Sequence, residues 1–229
     1  MLNLGKHKQV LSKILINLVE EKSVVSSLGF KGGTALFLFY GLDRFSTDLD
    51  FDLIQGKRGS GSLDIELINK AIEKNLKVID KREKRNTLFW VGSYQKGMQK
   101  VKVEINLRKF PNKYEVKNFR GYSVLVMKPE FMLAHKLCAV LDRKNLQNRD
   151  LYDVWFMFEK DFLINKEIIK LRTGQTVKEY FKSLLKLVNS LARDYDILNG
   201  LGEVLSEPKK DWVKSKLLSE LRAQLSSRL

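Results

Sequence analysis

Between residues 10 and 20 the apolar side chains Leu11, Ile14, Leu15, Leu18 and Val19 recur at helical spacing, which predicts an amphipathic helix. A hydrophobic entry at Leu28 and Phe30 then meets Gly32-Gly33-Thr34, and the run 35–40 suits a second helix. Next comes a strict alternation, Asp48-Leu49-Asp50-Phe51-Asp52-Leu53, the signature of a strand with one apolar and one acidic face. The Gly/Ser-rich stretch 55–62 reads as a loop, followed by a helix over 63–77. Strands are predicted at 87–93 and 101–107, joined by a turn around Lys96-Gly97. From residue 130 onward the pattern is helical, at 130–141, 150–158, 165–171, 177–198 and 209–225. This change places a boundary near Met127-Lys128-Pro129 and predicts two units, 1–127 and 128–229. The expected class is α+β: a mixed β-sheet flanked by helices, then a helical bundle packed against it to close a cleft. No internal repeat is evident.

The acidic strand carries the strongest chemical signal. Three carboxylates on one strand face repel and raise one another's pKa unless a cation sits among them, and hard divalent ions choose carboxylate oxygens. An isolated Asp-x-Asp is more often a solvated sheet face. Here the glycines upstream change the balance, because backbone amides at a glycine turn and a helix N-terminus can face a phosphate. A phosphate cradle followed by an acidic pair points to nucleotide chemistry.

Composition narrows the class. Hydrophobic residues at 44% and aromatics at 10% exclude a disordered chain, and 3 prolines in 229 residues argue against long rigid linkers. No apolar run approaches the roughly 20 residues that span a bilayer. Lys6, Lys8, Lys13, Glu20 and Glu21 interrupt the first apolar stretch, unlike a signal peptide, so a cytoplasmic protein is expected. The single cysteine, Cys138, falls in a helical pattern and reads as a buried thiol, which disfavours cysteine or zinc chemistry. Lys and Arg number 42 against 27 Asp and Glu, a net charge of +15 that favours a polyanionic partner. Residues 55–120 hold 17 basic and 7 acidic residues, a net of +10, with Lys81, Arg82, Lys84 and Arg85 near Phe89, Trp90 and Tyr94. That mixture suits phosphate contacts supported by aromatic rings, although strand aromatics and surface lysines also serve core packing and solubility.

Further polar residues fall into place around this core. Alternation puts Lys102, Glu104, Asn106 and Arg108 on one strand face, and pairing beside the acidic strand would let Glu104 supply a third carboxylate, as a metal ligand or as a base. An exposed strand glutamate is the plainer reading. Lys136 and Arg143, seven residues apart, share a helix face and could hold triphosphate oxygens. Asp150 and Asp153 follow Arg149 at i and i+3; Asp150 could cap its helix or pair with Arg149, and Asp153 could be an internal salt-bridge partner. His135 reads as structural.

The ordered series Lys31-Gly32-Gly33-Thr34-Ala35-Leu36, Arg44-Phe45-Ser46-Thr47-Asp48-Leu49-Asp50-Phe51, Lys102-Val103-Glu104-Ile105, Lys136-Leu137-Cys138-Ala139 and Arg149-Asp150-Leu151-Tyr152-Asp153 resembles the AbiEii/AbiGii toxin family, a branch of the DNA polymerase β-like nucleotidyltransferases related in kind to the MenT toxins. The resemblance implies an NTP-dependent transferase using Mg²⁺ or Mn²⁺, with Asp48, Asp50 and Glu104 at the metal. Gly32, Gly33 and Thr34 would line the triphosphate turn, Arg44 and Ser46 would support it, Lys136 and Arg143 would contact nucleotide phosphates, and Asp150 or Asp153 would complete the motif. In the wider superfamily the third acid is commonly Asp, whereas this chain offers Glu104. By analogy with family toxins, the resemblance further implies attack of a tRNA 3′ end on the α-phosphate and a cognate antitoxin. A transferase acting on a protein or small molecule, or a catalytically silent binding module, are the competing readings. Thr34, Ser46 and Thr47 carry hydroxyls close to the expected phosphate site, so phosphorylation there is an expected route of inhibition, one that aspartate at Ser46 or Thr47 would mimic in a folded protein.

Overall fold

The computed structural model describes residues 3–54, 63–192 and 194–229; the Gly/Ser-rich stretch 55–62 lies outside them. The chain divides into two compact units, Met1–Lys128 and Pro129–Leu229. In the first unit the order is α1 (Leu4–Glu20), α2 (Lys22–Val25), β1 (Leu28–Lys31), α3 (Gly32–Phe39), β2 (Asp48–Leu53), α4 (Ile65–Glu73), β3 (Lys77–Lys84), β4 (Thr87–Ser93), β5 (Val101–Asn106), β6 (Tyr114–Phe119) and β7 (Tyr122–Met127). The second holds α5 (Pro129–Asp142), α6 (Asn148–Glu159), α7 (Lys166–Thr173), α8 (Val177–Ser190), α9 (Glu207–Trp212) and α10 (Leu218–Ser226). The class is α+β.

The seven strands form one mixed sheet in the order β3-β4-β5-β2-β1-β7-β6. β2 lies near its centre, antiparallel to β1 and parallel to β5. Its alternation is realised: Leu49, Phe51 and Leu53 are buried, and the same face continues through Val103 and Ile105 of β5 and Trp90 of β4. Helices α1 and α4 belong to this core; Trp90 Nε1 donates to Asn69 Oδ1 of α4 at 2.7 Å, and Asn17 of α1 donates to the Ala71 carbonyl at 3.0 Å. The opposite face carries the acids.

Several elements differ from expectation. Helix α1 begins at Leu4, well before residue 10, because the Asn3 side chain accepts the Lys6 amide and caps a turn that the apolar pattern does not mark. Helix α3 starts at the glycines themselves. The helix expected over 63–77 ends at Glu73, and Lys77 opens β3, an edge strand missed because Lys77–Lys84 is charged on both faces and shows no alternation. The β6–β7 hairpin was missed too; Arg120 and Gly121, both at positive φ, form its tight turn.

In the second unit α8 stops at Ser190, and the segment expected as one helix over 209–225 contains a π turn at Val213–Leu217 between α9 and α10. Helix α5 packs against α6 and α7, and α10 against α6 and α8. Tyr180 of α8 donates to the Leu137 and Cys138 carbonyls of α5. Cys138 is buried, and burial pushes its thiol up to about 11, the inert state expected of it. No helix among the described residues is long and apolar enough to cross a membrane.

Candidate active site

The first unit gathers Gly32, Gly33, Thr34, Arg44, Ser46, Asp48, Asp50 and Glu104 at one end of the sheet. Chain direction explains this. Strand β1 runs toward the glycines while antiparallel β2 starts beside them, so Lys31 pairs with Asp50 and the turn closes next to the acidic strand. Gly32 sits at φ 79°, a left-handed conformation, and a Cβ there would collide with Asp50 Oδ2. A Cβ on Gly33 would come within 2.8 Å of Ser46 Oγ and 2.9 Å of Arg44 Nη2. Both glycines are therefore fixed by space, one also by backbone angle. The Thr34 hydroxyl donates to the Asp48 carbonyl, tying the first turn of α3 to the start of β2. Arg44 is buried and its Nη1 donates to the Phe45 carbonyl at 2.9 Å, so it braces the segment leading into Asp48.

The three strand acids meet different fates. Asp52 is 3% exposed, and its carboxylate is surrounded by donors: Lys31 Nζ at 2.5 Å, Asn106 Nδ2 at 2.7 Å, Tyr114 OH at 2.8 Å and Asn112 Nδ2 at 3.0 Å. Burial alone would raise its pKa, but Lys31 and the hydrogen bonds from Lys31, Asn106 and Tyr114 outweigh it and hold the carboxyl below the usual range. Asp52 is thus neutralised within the protein. Asp48 and Asp50 are only half-buried. The Asp48 carboxylate makes no hydrogen bond or ion pair with another described residue. Glu104 registers directly beside Asp50 across the parallel β2–β5 pair, on the same sheet face. Among the described residues, however, no three His, Cys, Asp or Glu side chains converge closely enough to hold an ion together. The hard oxygen pair of Asp48 and Asp50, beside a cradle that any Cβ would fill, fits a divalent cation of the Mg²⁺ kind.

One participant was absent from the sequence reading. His7 is fully buried, with Nε2 2.9 Å from the Thr47 carbonyl and Nδ1 3.3 Å from Tyr94 OH. A carbonyl only accepts, so Nε2 carries the proton and Nδ1 accepts from the tyrosine. Desolvation lowers the His7 pKa, opposed by the Thr47 hydrogen bond and the nearby Asp48 charge. His7 precedes Val10, Leu11 and Ile14 by three, four and seven residues, so extending the helical pattern backward would have placed it on the buried face.

Lys136, Arg143, Asp150 and Asp153 come together in the second unit. Lys136 Nζ lies 2.9 Å from Asp150 Oδ1 and 2.7 Å from Asp153 Oδ2, while Arg143 Nε lies 2.8 Å from Asp150 Oδ2 as an ion pair off the hydrogen-bonding line. Asp150 and Asp153 are 2% and 0% exposed. Arg143 lies just past the end of α5 at Asp142 and not on its face as expected, yet it and Lys136 both reach Asp150. The expected Asp150–Arg149 pair is replaced by these two, and Gln147, not Asp150, occupies the helix N-cap. Asp153 is the internal salt-bridge partner. His135 accepts from Arg172 Nη1 at 2.9 Å, which fits a structural role. Thr34, Ser46 and Thr47 are all buried. A phosphate there requires local opening, and aspartate at Ser46 or Thr47 would strain the fold instead of leaving it intact.

A glycine turn opening a helix beside paired strand carboxylates is the arrangement expected of a nucleotidyltransferase, and the family comparison supports that class. The chain belongs to the family of nucleotidyl transferase AbiEii toxins of type IV toxin–antitoxin systems, whose model matches residues 23–216. Its fold is similar to the crystal structure of JHP933 from Helicobacter pylori, at TM-score 0.57 and 24% identity over 97% of this chain and 93% of that one. It is also similar to an antigenic nucleotidyltransferase-like protein from Paracoccidioides brasiliensis, at TM-score 0.52 and 16% identity over 86% of this chain and 94% of that one. A search of curated proteins finds none that matches.

Proposed function

We propose that this chain is a toxin that transfers a nucleoside monophosphate from an NTP to an acceptor hydroxyl, with the 3′ end of tRNA as acceptor and a cognate antitoxin as its physiological partner. The observation that carries this reading is the half-buried pair Asp48 and Asp50 set against the Gly32-Gly33 turn, in a chain of that family. The amides at the start of α3 face the triphosphate, where a helix N-terminus favours negative charge. Asp48 and Asp50 are the carboxylates that would hold Mg²⁺ or Mn²⁺. When bound, such ions lower the pKa of an attacking hydroxyl and neutralise charge on the leaving pyrophosphate. The acceptor oxygen bonds to the α-phosphorus as the bond to the bridging oxygen breaks and pyrophosphate departs. Glu104, in register beside Asp50, would ligate or take the hydroxyl proton, a role its neighbouring position supports. The net charge of +15 favours a nucleic-acid acceptor over a small molecule, which needs no extended basic surface.

The test is incubation of the purified chain with Mg²⁺, each α-labelled NTP in turn and total tRNA, beside Asp48→Ala. Label on tRNA with the wild type alone is expected. Label on protein would move the acceptor to another class. No label anywhere would remove the transferase reading.

A further inference from the structure

On the far side of β2 from the glycine turn, the edge of the sheet forms a groove of about 940 Å³ between β3, the end of β4 and the β4–β5 connection. Lys77, Lys96 and Lys100 line it, all exposed, together with Ile79, Tyr94 and Met98. Among the described residues that line it, none is acidic. Ile79, 54% exposed, is an apolar side chain held open on a strand otherwise dominated by charge. We propose that this groove is the path of a single-stranded RNA acceptor running to Asp48, an assignment that rests on the transfer reading and specifies which surface delivers its acceptor.

Three observations carry it. First, the groove opens at the same end of the sheet as the site. Strand β5 runs parallel to β2 with Lys102 in register with Asp48, so Lys100, two residues earlier, lies at that end; Lys77 joins it through its pairing with Ser93. Second, the groove is joined physically to the site: Tyr94 meets His7, and His7 holds the carbonyl of Thr47, the residue before Asp48. Third, the strand order β4-β5-β2-β1 puts the carboxylates between the groove on one side and the glycine turn on the other. In-line displacement needs the incoming and leaving oxygens on opposite sides of the phosphorus, and this order provides opposite approaches.

The chemistry of the walls selects the ligand. Lysine ammonium groups on flexible stems track phosphates as point charges, while an aromatic ring and apolar side chains offer base faces a surface without demanding a sequence.

The experiment uses the full chain and Lys77→Ala/Lys96→Ala/Lys100→Ala, three exposed positions outside the catalytic set. Binding of a short fluorescent single-stranded RNA is followed by anisotropy between about 50 and 200 mM salt. Losing three phosphate contacts is expected to weaken binding roughly tenfold or more and to reduce the slope of log K against log salt by about 2, from about 0.7 per contact on a single strand. Binding of a fluorescent NTP should stay unchanged. An unaltered RNA affinity and slope would overturn the assignment, as would equal displacement of RNA by an oligoglutamate of matched charge. The two readings separate cleanly. Equal tRNA labelling by the wild type and the triple variant removes the groove and leaves the transferase; loss of RNA binding in a protein that labels nothing keeps the groove and removes the transfer chemistry.

Discussion

Replacing Lys136 by Met keeps much of the side-chain volume but withdraws the ammonium from two carboxylates that are 2% and 0% exposed. Removing one partner of a buried ion pair typically costs about 3–5 kcal/mol, because the remaining charge is left without compensation. The lower end applies here: Lys136 itself is 16% exposed, and Arg143 still reaches Asp150 Oδ2 at 2.8 Å. A loss of about 3 kcal/mol in a chain of this size corresponds to a fall in Tm of roughly 6–12 °C. Thermal melts followed by circular dichroism measure it, with Lys136→Met/Asp150→Asn/Asp153→Asn as the partner variant. Neutralising both acids removes the buried charge, so the triple variant should regain a substantial part of the lost stability. If Lys136→Met melts within a degree or two of the wild type, the network is not holding α5 to α6, and the short distances carry no such energy. The measurement also isolates a structural duty of Lys136 from the phosphate contact that resemblance assigns to it.

Gly32→Ala combines a left-handed Cβ penalty of about 1–2 kcal/mol with displacement of the Asp50 carboxylate, so transfer should fall far more than stability; near-normal transfer rates would show that the turn tolerates a side chain. The lowered His7 pKa makes the native state bind fewer protons than the unfolded chain below the ordinary value of 6.5. Its contribution to stability is therefore complete above pH 6.5 and declines as pH falls from there toward the native pKa. Tm measured from neutral to mildly acidic pH should drop more steeply for the wild type than for His7→Asn, and parallel curves would remove His7 as the source.

The site was more legible in the sequence than the sheet that carries it. Asp48, Asp50, Gly32 and Gly33 stand in a local pattern whose spacing has few other uses, and Glu104 followed from alternation plus one assumed strand pairing that the register realises. The edge strands β3 and β6 were invisible for a common reason. A strand with one neighbour and little buried surface needs no apolar alternation, so Lys77–Lys84 looks like a solvated helix end. The partners of Asp150 were also beyond local reading: Lys136 lies on α5 and Arg143 just past its end, and sequence adjacency pointed instead to Arg149. His7 escaped because its meaning depends on contacts 40 and 87 residues away.

The donors around Asp52 bear on a problem specific to repetitive strands. Asp-Leu-Asp-Phe-Asp-Leu maps onto itself when shifted by two residues, so hydrophobic patterning dictates which face is buried but is blind to a slip of that length. Lys31, Asn106, Asn112 and Tyr114, drawn from both sides of β2, donate to a carboxylate at one position along the strand. A two-residue slip that brought Ile54 into that ring would leave all four donors without a carboxylate, whereas the opposite slip would put Asp50 there and is not opposed by the ring. The acid neutralised inside the protein thus guards, against one direction of slip, the alignment of the two assigned to the candidate site.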